Sequence, residues 1–391
     1  SEHFVRGEGI PLVRIRDLNA TETEVGYIGQ IVDSAWIDSG DIIIGMDGDF
    51  NVARWRGPRA LLNQRMCCLR PRNDCDAGFL AYVVPFPLKV INDLTYSTTV
   101  RHLSSADVRK ILLTAPPFAE QKAISQHLDR ETARINGLVA KKERLIELLQ
   151  EKRAALITQA VTRGLDPTVP MKDSGVEWLG KIPAHWGARP LKAVSGLQTG
   201  LTLGKKYERP GLVTRPYLRV ANVQDGRIDL NDVAEVELPE KDAARYELRE
   251  GDVLMTEGGD FDKLGRGHVW EDQIEACLHQ NHIFAVRPRR EFLRPRFLAF
   301  VMSSAYGRAY FTATSKQSTN LASTNSTKLL NLPLATPSIS EQDEIVLAVD
   351  RKTDRIDVLV AKVREAITRL KELRTALISA AVTGKIDVRS T

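Results

Sequence analysis

PPFAEQKAISQHLDRETARINGLVAKKERLIELLQEKRAALITQAVTRGLD, residues 116–166, returns 221 positions later as PSISEQDEIVLAVDRKTDRIDVLVAKVREAITRLKELRTALISAAVTGKID, residues 337–387. The two stretches align without a gap, and 24 of the 51 aligned pairs are identical. Each reads as one long helix. In the second copy the apolar stripe runs through Ile345, Val349, Ile356, Leu359, Val363, Ile367, Leu370, Leu373, Leu377 and Ala381. Ile124, Leu128, Ile135, Leu138, Leu145, Leu149 and Leu156 match it in the first. Pro116-Pro117 and Pro337 precede the helices, Ser340 with Asp343 offers a capping box, and Gly164 and Gly384 mark the ends. A helix of about 44 residues is roughly 65 Å long. A small domain cannot bury so long a stripe. Its natural partner is its own repeat, antiparallel if the halves are related by a pseudo-twofold axis.

The repeat extends outward from the helices. PLVRIRDL (11–18) pairs with PYLRVANV (216–223), SGDIIIGMDGDF (39–50) with EGDVLMTEGGDF (250–261), and LLNQRMCCLRP (61–71) with CLHQNHIFAVRP (277–288). The offset drifts from 205 to 221 along the chain, as expected when loops absorb insertions and helices hold their spacing. The predicted organisation is a first β-rich mixed domain over 1–115, a long helix over 116–166, an irregular linker over 167–185, a second mixed domain over 186–336, and a second long helix with a tail over 337–391. The fold class is α+β: two mixed domains and two long antiparallel helices. DIIIGM, MCCLRP, DVLMTE and HIFAVRP suit strands. FLAYVV (79–84) and PRFLAFVMSSAYGRAYF (295–311) suit one helix each. The first domain lacks a counterpart to WGARPLKAVSGLQTG (186–200), and we expect an N-terminal segment to be missing there.

Composition sets outer bounds. The 391 residues are 43% hydrophobic and 27% charged, with a net charge of +5, so any polyanion contact must come from local patches rather than from the whole surface. No apolar run is long enough to span a membrane. Four irregularly spaced cysteines do not make a disulfide framework, and a reduced, cytoplasmic setting is expected.

The PxxxEQ helix starts, the linker KDSGVEWLGKIPAHW, the AVTxGxID ends and the order of the units resemble the specificity subunits of type I restriction–modification systems. The resemblance covers the whole chain. It implies two target recognition domains, each reading one half of a bipartite, asymmetric site on double-stranded DNA. It implies helices that set the spacing and dock two DNA adenine methyltransferase subunits, with restriction–translocase subunits completing the complex. S-adenosylmethionine, ATP and Mg2+ would serve those partner subunits, with no cofactor on this chain. Half-sites about one helical turn apart would let both domains approach one face of the duplex.

Candidate DNA contacts lie in three stretches of each domain. TEGGDFDKLGRG (256–267) sets Lys263 and Arg266 among glycines that let backbone approach DNA; its counterpart MDGDFNVARWRG (46–57) carries Asn51, Arg54 and Arg56. QNH (280–282) and NQR (63–65) offer Asn281, His282 and Arg65 to base edges, whereas Gln64 and Gln280, shared by both domains, read as structural. KQSTNLASTNST (316–327) and TYSTTVRHLSS (95–105) offer Lys316, Gln317, Asn320, Arg101 and His102. GLQTGLTLGKK fails the phosphate-loop spacing, yet Lys205 and Lys206 remain candidate phosphate contacts. Lys141, Arg144, Lys362 and Glu365, on outward helix positions, are candidate partner contacts. APPF (115–118) echoes an amino-methyltransferase motif, but Ala115 supplies no polar side chain, so it reads as a helix start. His279 and His282, three apart on a strand, should face opposite sides rather than share a metal. No catalytic constellation is visible. The expectation is a non-catalytic DNA-reading subunit; the alternative is a coiled-coil interaction scaffold without DNA specificity.

Overall fold

The computed structural model describes residues 3–94, 102–204, 211–259, 264–317 and 322–388. The chain divides into two compact units, Ser1–Glu143 with Val363–Thr391, and Arg144–Lys362. Both are mixed α+β.

In the first unit Phe4–Arg6, Val25–Tyr27, Ile10–Val13, Ala60–Leu62 and Trp36–Ile37 form one sheet in that order, with Leu12 and Leu61 in a parallel pair. A second sheet places Ile42–Gly45 between Val52–Arg54 and Met66–Leu69. In the second unit Leu212–Leu218 lies between Ala234–Pro239 and Leu278–His279, again with one parallel pairing at Tyr217 and Leu278. Val253–Thr256 lies between Gly267–Val269 and Ile283–Pro288, and Ser195–Thr199 covers the outer edge of the last strand. All four residues of Ile42–Gly45 and of Val253–Thr256 are buried, which is why Ile42–Ile44 and Val253–Met255 are apolar throughout instead of alternating. Among the described residues no strand covers Met66–Leu69 as Ser195–Thr199 covers Ile283–Pro288.

Helices follow the sheets, but in pairs where the sequence predicted single ones. Residues 295–311 break at Ser304, whose N–H closes Pro295–Ser303 while its hydroxyl accepts from Gly307 N at 3.1 Å and opens Ala305–Thr314. Gly307 is required there, because a Cβ would stand 2.4 Å from the carbonyl oxygen of Val301. In the first unit Ala77–Val83 is followed by Pro85–Leu94, proline having no N–H to continue the first ladder. The linker is also more ordered than expected. Met171–Asp173 and Lys181–Pro183 form an antiparallel ribbon, and Leu179, Ile182 and Trp186 are buried in the core of the second unit.

The long helices are Phe118–Arg163 and Ile339–Val382, 46 and 44 residues. The second is capped by Ser338, which accepts from Glu341 N at 3.2 Å, and not by Ser340. The predicted stripe needs a second correction, because Leu138, Leu145, Leu359 and Leu373 are exposed. The covered positions alternate steps of three and four from Leu128 through Thr132, Ile135, Val139, Lys142, Ile146, Leu149, Arg153 and Leu156 to Ala160, and the second helix repeats them from Val349 to Ala381. The covered positions include Thr132, Thr353, Arg153 and Arg374, which a count of apolar residues passes over. In the first unit Arg374 donates to Asn136 Oδ1 at 2.8 Å and Lys371 lies 3.9 Å from Glu143, so one helix rises in number as the other falls. In the second unit Arg153 faces Asp357 at 3.3 Å.

A glutamine fastens each helix start to its own domain. Gln342 accepts from Arg294 N at 2.8 Å and donates to the carbonyls of Phe292 and Pro337 at 2.9 and 3.1 Å. Gln121 accepts from Asp76 N at 2.9 Å and donates to those of Asp74 and Pro116 at 3.2 and 2.8 Å. Both are buried, which explains the EQ of the repeat. No helix among the described residues is long and apolar enough to cross a membrane.

Candidate nucleic-acid interface

The central buried strand of each unit delivers the chain to a point where three loops meet. In the second unit that point is Glu257. Its N–H donates to the carbonyl of His282 at 2.9 Å, and its own carbonyl accepts from Thr324 N at 2.9 Å. The Gly258–Gly259 strand pairs with Ala322–Ser323, which pairs in turn with Lys316–Gln317. In the first unit Met46 fills the same place: its N–H donates to the carbonyl of Arg65 at 2.9 Å, and its carbonyl accepts from Leu103 N at 2.7 Å. The three stretches picked out separately in each domain are therefore one cluster, tied through the backbone of one residue.

Side chains fill the two clusters differently. His282 Nδ1 lies 2.6 Å from Glu257 Oε2, both on partly exposed side chains. Asp47 accepts from Arg65 Nη1 at 2.5 Å, and its other oxygen lies 2.8 Å from His102 Nδ1. The hydrogen bond from His102, then that from Arg65, holds the Asp47 carboxyl below the usual range. Lys316 is exposed at the rim and Asn281 is half-buried. Arg266 is half-buried, and its carbonyl accepts from Thr256 N at 3.0 Å. Gln280 serves the fold, its side chain accepting from Val220 N at 3.2 Å. His279 is buried, with Nδ1 3.0 Å from the Ile283 carbonyl, so it and the exposed His282 point apart. No group among the described residues has metal-ligand geometry.

Asn51, Arg54 and Arg56 are exposed. Arg54 and Arg56 stand elsewhere, lining a hollow of about 310 Å3 with Gly78, Tyr82 and Asp129 at the start of the first long helix. Arg101, Lys205, Lys206, Lys263 and Asn320 lie outside the described residues, and of Gln317 only the backbone is described. Lys141, Arg144, Lys362 and Glu365 are exposed; Arg144 is paired with Glu147 at 2.6 Å on its own helix, and Glu365 with Arg369 on its own. The feature that sequence reading missed is the pair of carboxylates. Asp47 aligns with Gly258, and Glu257 with Met46, so the repeat hides their shared place.

The chain is 31% identical to the type I restriction enzyme EcoBI specificity subunit of Escherichia coli across 401 aligned positions, covering 100% of this chain and 82% of that one. It belongs to the type I restriction enzyme specificity subunits. The EcoKI specificity subunit of Escherichia coli strain K12 is 24% identical over 99% of this chain and 84% of its own. Residues 3–148 match the family model for the type I restriction modification DNA specificity domain. The fold agrees with a chain solved in work on complex assembly and conformational transition of a type I restriction–modification system, at a TM-score of 0.72, 18% identity, and 95% and 91% coverage of the two chains. It also agrees with the HsdS subunit of Thermoanaerobacter tengcongensis, at a TM-score of 0.52 and 18% identity over 96% and 91%. In this specificity subunit the family model spans the first three-loop cluster, whereas the cluster around Glu257 is reached through full-length relatives such as EcoBI.

Proposed function

We propose that this chain is the DNA-reading component of a type I restriction–modification complex. Each three-loop cluster reads one half of a bipartite site. The observation that carries this reading is a single backbone frame occurring once in each unit and presenting different side chains: Asp47, Arg65 and His102 in one, Glu257, His282 and Lys316 in the other. A common frame with divergent side chains is what two readers of different sequences require. Phosphate contacts fix register and base-edge contacts fix sequence, so the two half-sites differ.

The long helices act as an antiparallel coiled-coil spacer related by a pseudo-twofold axis. Their exposed faces, including Lys141, Arg144, Lys362 and Glu365, dock two DNA adenine methyltransferase subunits. Restriction–translocase subunits join the same complex. Chemistry resides in those partners, which use S-adenosylmethionine, ATP and Mg2+. This chain binds no cofactor and performs no catalysis.

The test is binding of the full chain, with its methyltransferase partner, to random and host-derived duplexes over a salt range. A reader that neutralises about six phosphates loses roughly 1,000-fold in affinity between about 50 and 200 mM salt. Methylation mapping of the host genome should return two short specific runs separated by a fixed gap. A complex with no preference among duplexes is instead a protein scaffold, and the proposal fails.

A further inference from the structure

Each cluster contains an acidic side chain, Glu257 in one and Asp47 in the other, where an all-cationic surface would bind DNA more tightly. Glu257 is not there for the frame. The bonds that tie the loops together use its backbone, and Met46 does the same work in the first unit without a charge. The carboxylate of the first unit comes from the next residue, Asp47, and the imidazoles come from different loops, His282 from the strand turn and His102 from the polar run. Two unlike sequences thus arrive at one arrangement: an acidic acceptor held by an exposed histidine at the meeting point of three loops.

A carboxylate facing phosphates weakens every complex unless the DNA supplies it with donors. The major groove has two such donors, the exocyclic amino groups of cytosine and adenine; guanine O6 and thymine O4 are acceptors and would oppose it. An ionised carboxyl accepts about four hydrogen bonds. Glu257 uses Oε2 for His282, and Asp47 uses one oxygen each for His102 and Arg65. Among the described residues capacity remains in both, and the two imidazoles with Arg65 fix the direction in which it points.

Resting on the DNA-reading assignment above, we propose that Asp47 and Glu257 are specificity-determining residues. Each accepts from the amino group of a cytosine or adenine in its own half-site and rejects guanine and thymine there.

The experiment profiles base preference over a randomised duplex library. It uses the full chain in complex with its methyltransferase subunits, as wild type, Glu257→Gln and Asp47→Asn. Glu257→Gln should relax discrimination at one base pair of one half-site by about tenfold or more, leaving the other half-site unchanged. Asp47→Asn should do the same in the other half-site only. Affinity for unrelated duplex should hold or rise, a negative charge having been removed. An unchanged base profile overturns the proposal, whether affinity is retained or uniformly reduced. A wild-type complex with no sequence preference overturns the underlying DNA-reading assignment instead. Thermal melting checks the fold. If Glu257→Gln melts early, Glu257→Asp keeps the charge but withdraws the acceptor by one methylene, and must weaken preference at the same base pair.

Discussion

Gln342→Ala tests what fastens a long helix to its domain. The substitution removes an acceptor from Arg294 N and donors from the carbonyls of Phe292 and Pro337, at a side chain that is 0% exposed. Each intramolecular hydrogen bond is worth about 1 kcal/mol net, and a buried group left unmatched costs about 1–3 kcal/mol, so the loss should be about 3–5 kcal/mol. For a unit of this size, about 2–4 °C of Tm per kcal/mol places the fall at roughly 6–20 °C. Calorimetry gives the shift, and hydrogen exchange of the second unit's own amides shows where it falls. Gln342→Glu keeps the acceptor for Arg294 N but sets lone pairs against two carbonyls, and should be no better tolerated. Gln121→Ala should produce the same loss in the first unit, since its three bonds match within a few tenths of an ångström. Glu344→Ala, on an exposed side of the same helix, should change stability by less than about 0.5 kcal/mol. A loss below about 1 kcal/mol for Gln342→Ala refutes the reasoning.

Three further outcomes follow from the burial of ionisable groups. His268 and His279 are pushed down to about 4, chiefly by burial. Between about pH 6.5 and 4 the unfolded chain therefore binds protons that the folded unit refuses, and stability falls as pH drops through that window. The loss is up to about 3 kcal/mol for the fully buried His279 and less for the half-buried His268. A urea midpoint for the second unit that is unchanged between pH 7 and pH 5 contradicts this. Arg287 grips the fully buried Asp252 with two bonds of 2.7 and 2.6 Å, so Arg287→Met should cost about 3 kcal/mol, whereas Arg70→Met, beside Asp41 with its guanidinium mostly in solvent, should cost under about 1 kcal/mol. Equal denaturation shifts for the two variants would refute it. Burial pushes Cys67 up to about 11 and Cys68 and Cys277 to about 12, so native protein at pH 8 should leave these three unalkylated while denatured protein labels fully, as read by mass spectrometry.

What could be read from the sequence tracks how local the determining physics is. The strands around Ile42–Gly45 and Val253–Thr256 were legible because full burial demands an unbroken apolar run. The length of the long helices was legible because the repeat holds its offset. The face they bury departs from the apolar count at the exposed Leu138, Leu145, Leu359 and Leu373, since which side is covered depends on what each helix lies against and takes in Thr132 and Arg374. The break at Ser304 depends on a close approach at Gly307 that no propensity registers. The three candidate stretches of each domain are legible one by one through their residue types. That they meet at Met46 and Glu257 rests on backbone bonds spanning dozens of residues, and the carboxylates stayed hidden because their partners lie in different loops.

The division of the chain into units bears on the order in which it is made. The second unit is continuous, Arg144–Lys362, whereas the first closes only with Val363–Thr391. Ala381, Val382 and Val388 are buried in the same core as Phe79, Leu88 and Leu128. On the ribosome the domain begun first is thus completed last: its core stays open while more than two hundred later residues emerge, and the second unit has all its parts before the first does. Synthesis at roughly 5–20 residues per second makes that interval tens of seconds, during which the first unit's apolar faces stand uncovered.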